Sequence, residues 1–179
     1  MNIAIFGGSF DPPHIGHEQV VQEALKTLHV EKLFIIPTYL NPFKKTFHAD
    51  EKTRLMWLQK LFEDERKVEV LDFETNQKRA VPSIETVEFL LKNNTIEKIY
   101  LIIGSDNYET LYKWHRYEEL KKLVEFVIAT RDDVVLPKNL KKLSINVNIS
   151  SSKLRENMDI SFIPKKIENE VKKYYQGKQ

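Results

Sequence analysis

The chain has 179 residues, 28 basic and 26 acidic side chains, a net charge of +2, 41% hydrophobic and 30% charged residues, and no cysteine. That size and balance predict one domain, residues 1–179, with a real core, and argue against a disordered chain, a nucleic-acid-binding surface or a membrane protein. Lack of cysteine excludes disulfides, thiolate metal sites and a cysteine nucleophile. Together with a start, Met1-Asn2-Ile3-Ala4-Ile5-Phe6, that carries no basic or long apolar leader, it predicts a cytoplasmic protein.

Ile3 to Phe6 is a compact apolar run bounded by glycine, which suits a buried strand. Pro12 and Pro13 precede a helix from Ile15, with Val21, Ala24, Leu25 and Leu28 on one face. Lys32 to Ile36 reads as a second strand ended by Pro37, and 39–45 as a loop at its carboxyl end. Asp50 is positioned to cap a helix striped by Leu55, Leu58, Leu61 and Phe62, with Arg54 near its start. Val68 to Phe73 predicts a third strand, and Ser83 caps a helix carrying Ile84, Val87, Leu90 and Leu91. Ile99 to Ile103 is the strongest central strand and runs into Gly104-Ser105-Asp106. A short helical stretch over Tyr108 to Tyr112, a helix to Leu123 and a strand from Glu125 to Thr130 follow. Asp132 to Leu143 reads as a charged loop and Ser144 to Ile149 as a late edge strand. A helix then starts at the Ser150-Ser151-Ser152 cluster, and a closing helix of about 164–175 carries Ile167, Val171 and Tyr174. Strands alternating with helices predict an α/β, doubly wound parallel sheet with helices on both faces.

In such a sheet ligands bind beyond the carboxyl ends of the strands, and that edge holds most of the five glycines: Gly7, Gly8, Gly16 and Gly104. His14 and His17, at i and i+3, project from one side of the first helical turn, whose N–H groups and dipole favour an anion. The stretch fits neither G-x-G-x-x-G nor the Walker motif. Lys44, Ser151, Ser152 and Arg155 fall at the same edge, so the set is cationic or hydrogen-bond donating, with no carboxylate pair and no serine-histidine-aspartate set. It suits a polyphosphate, where positioning and charge neutralisation supply most of the catalysis. His29 and His48 lack partners at metal-ligand spacing, so no protein-held metal is expected.

Gly7 to His17, G-G-S-F-D-P-P-H-I-G-H, closely resembles the signature of the nucleotidylyltransferase superfamily, in the form carried by its nicotinate-nucleotide adenylyltransferases. The similarity runs from Ile3 to about Tyr174 and implies a Rossmann-like fold. It implies direct attack by the 5′-phosphate of nicotinate mononucleotide on the α-phosphorus of ATP, with Mg²⁺ carried on the triphosphate. The resemblance gives His14, His17, Lys44 and Arg155 catalytic roles. It places ATP against Gly7, Gly8, Ser9, Phe10, Gly104, Asp106, Ile149, Ser151 and Ser152 together with those four, and the acceptor against Thr86, Trp114 and His115. No nucleic acid or membrane partner is implied, and a homo-oligomer is compatible. The sequence departs from the family at Phe43, where a histidine is common, and at Ile84-Glu85, where tyrosine and threonine usually follow the serine. Transfer to nicotinamide mononucleotide or phosphopantetheine, or ATP sensing without turnover, are the alternatives.

Overall fold

A computed structural model describes residues 1–40, 48–131 and 135–177. Its strands are β1 (Asn2–Gly8), β2 (Lys32–Pro37), β3 (Val68–Val70), β4 (Lys98–Gly104), β5 (Glu125–Arg131) and β6 (Lys141–Ile145). They form a parallel sheet in the order β3-β2-β1-β4-β5-β6. The helices are α1 (Ile15–Thr27), α2 (Glu51–Leu61), α3 (Phe73–Asn76), α4 (Ser83–Asn93), α5 (Ser105–Tyr108), α6 (Tyr117–Leu123), α7 (Ser151–Glu156) and α8 (Glu168–Gln176).

Strand residues alternate between two cores. Ala4 and Phe6 of β1, Leu33 and Ile35 of β2, and Ile102 of β4 pack with Val21, Leu58 and Val171 of α1, α2 and α8. Ile3, Ile5, Phe34, Ile36, Leu101 and Ile103 face the other way, onto Ile84, Val87 and Leu90 of α4 and Leu120 of α6. The order reverses between β1 and β4, so their carboxyl ends open a crevice, and the loops after Gly8 and Gly104 fall on it. Among the described residues no helix is long and apolar enough to cross a membrane.

Several boundaries differ from the sequence reading. β3 stops at Val70, because an edge strand has one neighbour to hold it, and the chain turns through Asp72 into α3. α4 is capped by Pro82, whose extended backbone (φ −64°, ψ 145°) already supplies the cap geometry, so Ser83 is the first helical residue. The stretch expected over Tyr108 to Tyr112 is instead α5 and a 3₁₀ turn, Leu111–Lys113. β6 begins inside the charged segment and ends at Ile145: on an edge strand Leu143 alone is buried, and Lys141 and Ser144 face water. Pro164 opens a turn, and α8 starts later, at Glu168.

Candidate active site

β1 ends at Gly8, and the chain passes through Phe10, in the left-handed region at φ 49°, before α1 begins. Two imidazoles cap that helix reciprocally. His14 N–H donates to His17 Nδ1 and Gly16 N–H donates to His14 Nδ1, both at 3.0 Å. The rings stack with centroids 3.7 Å apart, and the Phe10 ring meets His17 edge-on at 4.8 Å. Each Nδ1 is an acceptor, so each neutral ring carries its proton on Nε2. The helix end therefore offers an anion fewer bare amide groups than its sequence suggested. The histidines take up two of those donors and present Nε2–H instead.

Burial pushes His14 down to about 4. His17 is pushed well below the usual histidine range by burial and by its neighbour His14. Both are neutral at pH 7, so they offer hydrogen bonds rather than charge. Between pH 6.5 and 4 the unfolded chain binds the proton that folded His14 refuses, so stability falls as pH falls through that window. A shift from 6.5 to about 4 corresponds to a loss of about 3 kcal/mol for His14. We expect urea midpoints to decline over this range and to decline less in His14→Gln, whose amide accepts without titrating; equal slopes would refute this.

Distant segments converge on the same turn. Asp11, 3% exposed, accepts from the backbone N–H of His48 (2.7 Å) and Ala49 (2.9 Å) and from the Tyr175 hydroxyl of α8 (2.6 Å). Arg155 of α7 donates to the Asp11 carbonyl, and Ser151 Oγ donates to the Pro12 carbonyl at 2.9 Å. Arg155 also reaches Ser152 Oγ at 3.4 Å. Beneath them Arg54, with no exposed surface, donates to the carbonyls of Ser9, Thr38, Tyr39 and Ala49 at 2.7–3.0 Å. One guanidinium thus gathers the loops after β1 and β2 and the start of α2. Ile149 lies beside Gly16.

On the opposite face of the sheet a cleft of about 310 Å³ opens between β1, β4 and α4. Gly7, Gly8 and Gly104 form its floor side, Pro82 and Ser83 one wall, and Lys113, Trp114 and His115 another. Trp114 Nε1 and Thr38 Oγ1, both in residues lining it, are buried without a hydrogen-bond partner among the described residues. A flat aromatic wall with nearby orphan donors suits a planar polar ring. Among the described residues no group of three or more His, Asp or Glu could hold a metal ion.

The cytidylyltransferase-like family profile matches residues 5–157. A Campylobacter jejuni (strain 81-176) protein named a probable nicotinate-nucleotide adenylyltransferase is 54% identical over 179 residues, 100% of this chain and 99% of that protein. The chain belongs to this family. A Sulfurimonas denitrificans relative with the same name is 49% identical over 173 residues, 97% of this chain and 94% of its own. The Plasmodium falciparum nicotinic acid mononucleotide adenylyltransferase complexed with NaAD shares the fold, with a TM-score of 0.78 at 21% identity over 98% of this chain and 97% of its own.

As a member of the nicotinate-nucleotide adenylyltransferases, the chain can be compared with what its motifs suggested. His14, His17, Ser151, Ser152, Arg155 and Ile149 are brought to one turn, and Gly7, Gly8, Gly104, Trp114 and His115 to the adjoining cleft. Asp106 folds its carboxylate back over Gly104. Ser9 contributes a carbonyl to Arg54, and Phe10 is internal, propping His17. Thr86 is buried behind the cleft wall, its hydroxyl bonded to Glu74, and the first-turn residue that does line the cleft is Ser83. Lys44, like Phe43 and Lys45, lies outside the described residues. Asp11 sat in plain view inside the motif, whereas Arg54 and Glu74 gave no signal beyond being charges in amphipathic stretches.

Gly16 is required by its neighbour rather than by its backbone angles. A Cβ there would stand 2.8 Å from His14 Cε1 and 2.9 Å from Nδ1. Gly16→Ala should improve helix propensity by up to about 1 kcal/mol yet displace the His14 ring. We expect turnover to fall more than about tenfold with the melting temperature little changed. Unaltered turnover would show that the ring position does not matter.

Proposed function

We propose that the chain transfers the adenylyl group of ATP to the 5′-phosphate of nicotinate mononucleotide, releasing pyrophosphate and forming nicotinate adenine dinucleotide. The observation that carries this is the pair of neutral imidazoles at the head of α1, each with Nδ1 engaged and Nε2–H left to donate, on the other side of β1 from a cleft walled by Trp114. An oxygen of the acceptor phosphate forms a bond to the α-phosphorus as the bridge to the β-phosphate breaks, and pyrophosphate takes the electron pair. The attacking phosphate is already ionised, so no general base is needed. His14 and His17 donate to the α-phosphate as its charge shifts. Arg155, whose fork has more donors than Asp11 and Ser152 use, and the hydroxyls of Ser151 and Ser152 serve the β- and γ-phosphates, with Lys44 as a further cation. Gly7, Gly8, Ser9 and Gly104 let backbone approach the nucleotide, and Asp106 meets the ribose.

In the acceptor half, Trp114 stacks on the pyridine ring and His115 borders it. Pro82 caps α4 without a side-chain cap bond, which leaves the first-turn N–H groups, Ser83 first and Thr86 behind it, to favour the ring carboxylate. ATP enters as its magnesium complex, the ion resting on phosphate oxygens, because the surrounding groups are donors that suit an anion and not a cation. The 179 residues act as one domain, with Ile167 and Val171 of the closing segment packed into the α1 side of the core. This reading places the enzyme in the cytoplasm with its nucleotide substrates, and a homo-oligomer is compatible with it. Incubating the pure protein with ATP, magnesium and each acceptor, and following pyrophosphate, tests it. Release with nicotinate mononucleotide, well above that with nicotinamide mononucleotide or phosphopantetheine, is expected; ATP binding with no release from any acceptor would mark a sensing module instead.

A further inference from the structure

Glu74 of α3 is 6% exposed and lines the cleft alongside Ser83 and Trp114. Its Oε2 accepts from Thr86 Oγ1 at 2.7 Å, so one carboxyl oxygen is tied to the first turn of α4. The other, Oε1, has no hydrogen-bond partner among the described residues. The cations of its own segment are engaged elsewhere, Lys78 with Glu51 and Arg79 with Glu85. From α4 the acidic Glu85 adds repulsion, and across the cleft stand Lys113 and His115. A hydroxyl donor is a weak partner for a buried carboxylate, which is the arrangement of a group that is neutral part of the time. Burial, outweighing the Thr86 bond, pushes Glu74 up to about 7.

We propose that Glu74 is a specificity-determining residue: as a neutral acid it admits an acceptor whose ring carries a carboxylate, and as a carboxylate it repels that acceptor while tolerating the corresponding amide. The inference rests on the adenylyl-transfer reading. Two like charges in one desolvated cleft cannot both persist cheaply, so binding the anionic ring requires the proton on Glu74. The amide ring is uncharged and has no such requirement. Both acceptors share the same ribose and phosphate, so the ratio of their kcat/KM values cancels titration of the acceptor phosphate, His14 and His17.

The test is that ratio, nicotinate over nicotinamide mononucleotide, measured by pyrophosphate release from pH 6 to 9. In the wild type it should fall above pH 7, approaching about tenfold per pH unit. In Glu74→Gln, an uncharged isostere that still accepts from Thr86, the ratio should stay at its acid-side value throughout. Thr86→Val removes the bond that favours the ionised form, so the break should move to higher pH, which tests the idea through a second residue. A flat ratio in the wild type, or the same pH profile in Glu74→Gln as in the wild type, overturns the proposal while leaving adenylyl transfer standing. Absence of pyrophosphate from both acceptors would instead fell the underlying reaction, and the proposal with it.

Discussion

His17→Ala is expected to lower kcat for pyrophosphate release by about 10²- to 10³-fold, the usual cost of deleting one preorganised donor from a site where oxyanion charge shifts. The imidazole does two things that alanine cannot. Its Nδ1 accepts the His14 N–H, and its stacking at 3.7 Å fixes the His14 ring, so both Nε2 donors lose their aim together. The fold should survive, because loss of a helix cap costs only about 1 kcal/mol and Phe6 and Phe10 remain packed beside the gap. Steady-state kinetics beside circular dichroism would check this. Turnover within threefold of wild type would remove His17 from the reaction, and an unfolded variant would make it a structural residue.

Arg54→Met should be the most destabilising single change among those considered, by about 3–5 kcal/mol, equivalent to a melting temperature lower by roughly 10 °C in a chain of this size. The methionine fills the volume but strands the carbonyls of Ser9, Thr38, Tyr39 and Ala49. Burial holds the Arg54 guanidinium below its ordinary pKa, and the nearby Asp11, Glu51 and Asp50 offset that desolvation only in part. Arg54→Lys keeps the charge without the planar fork, so it should recover only part of the loss. Thermal unfolding of the three proteins decides it: a melting temperature within about 2 °C of wild type in Arg54→Met would show that the gathered loops hold themselves.

The continuous apolar runs were legible because a parallel sheet buries both faces of its strands, so Ile3–Phe6 and Ile99–Ile103 read as strands without help. The G-G-S-F-D-P-P-H-I-G-H stretch was legible because it is contiguous. What escaped was created by convergence. Asp11 gains its meaning from His48, Ala49, Arg155 and Tyr175, which no local window contains. Arg54 reads as a surface charge on an amphipathic helix until the carbonyls around it are seen. Lys141 and Lys142 made β6 look like a loop, because an edge strand tolerates lysine where a central one does not. Ser83 reads as a helix cap from sequence because a serine before an apolar stripe is the usual signal, whereas Pro82 already supplies the extended cap geometry.

The bond from Tyr175 to Asp11 spans 164 residues. All six strands precede Tyr175 in the chain, so the loop that leads to His14 lacks its tether from α8 until that helix forms. The sheet can assemble first, from strands already made, while the turn ahead of α1 gains this tether only when α8 docks.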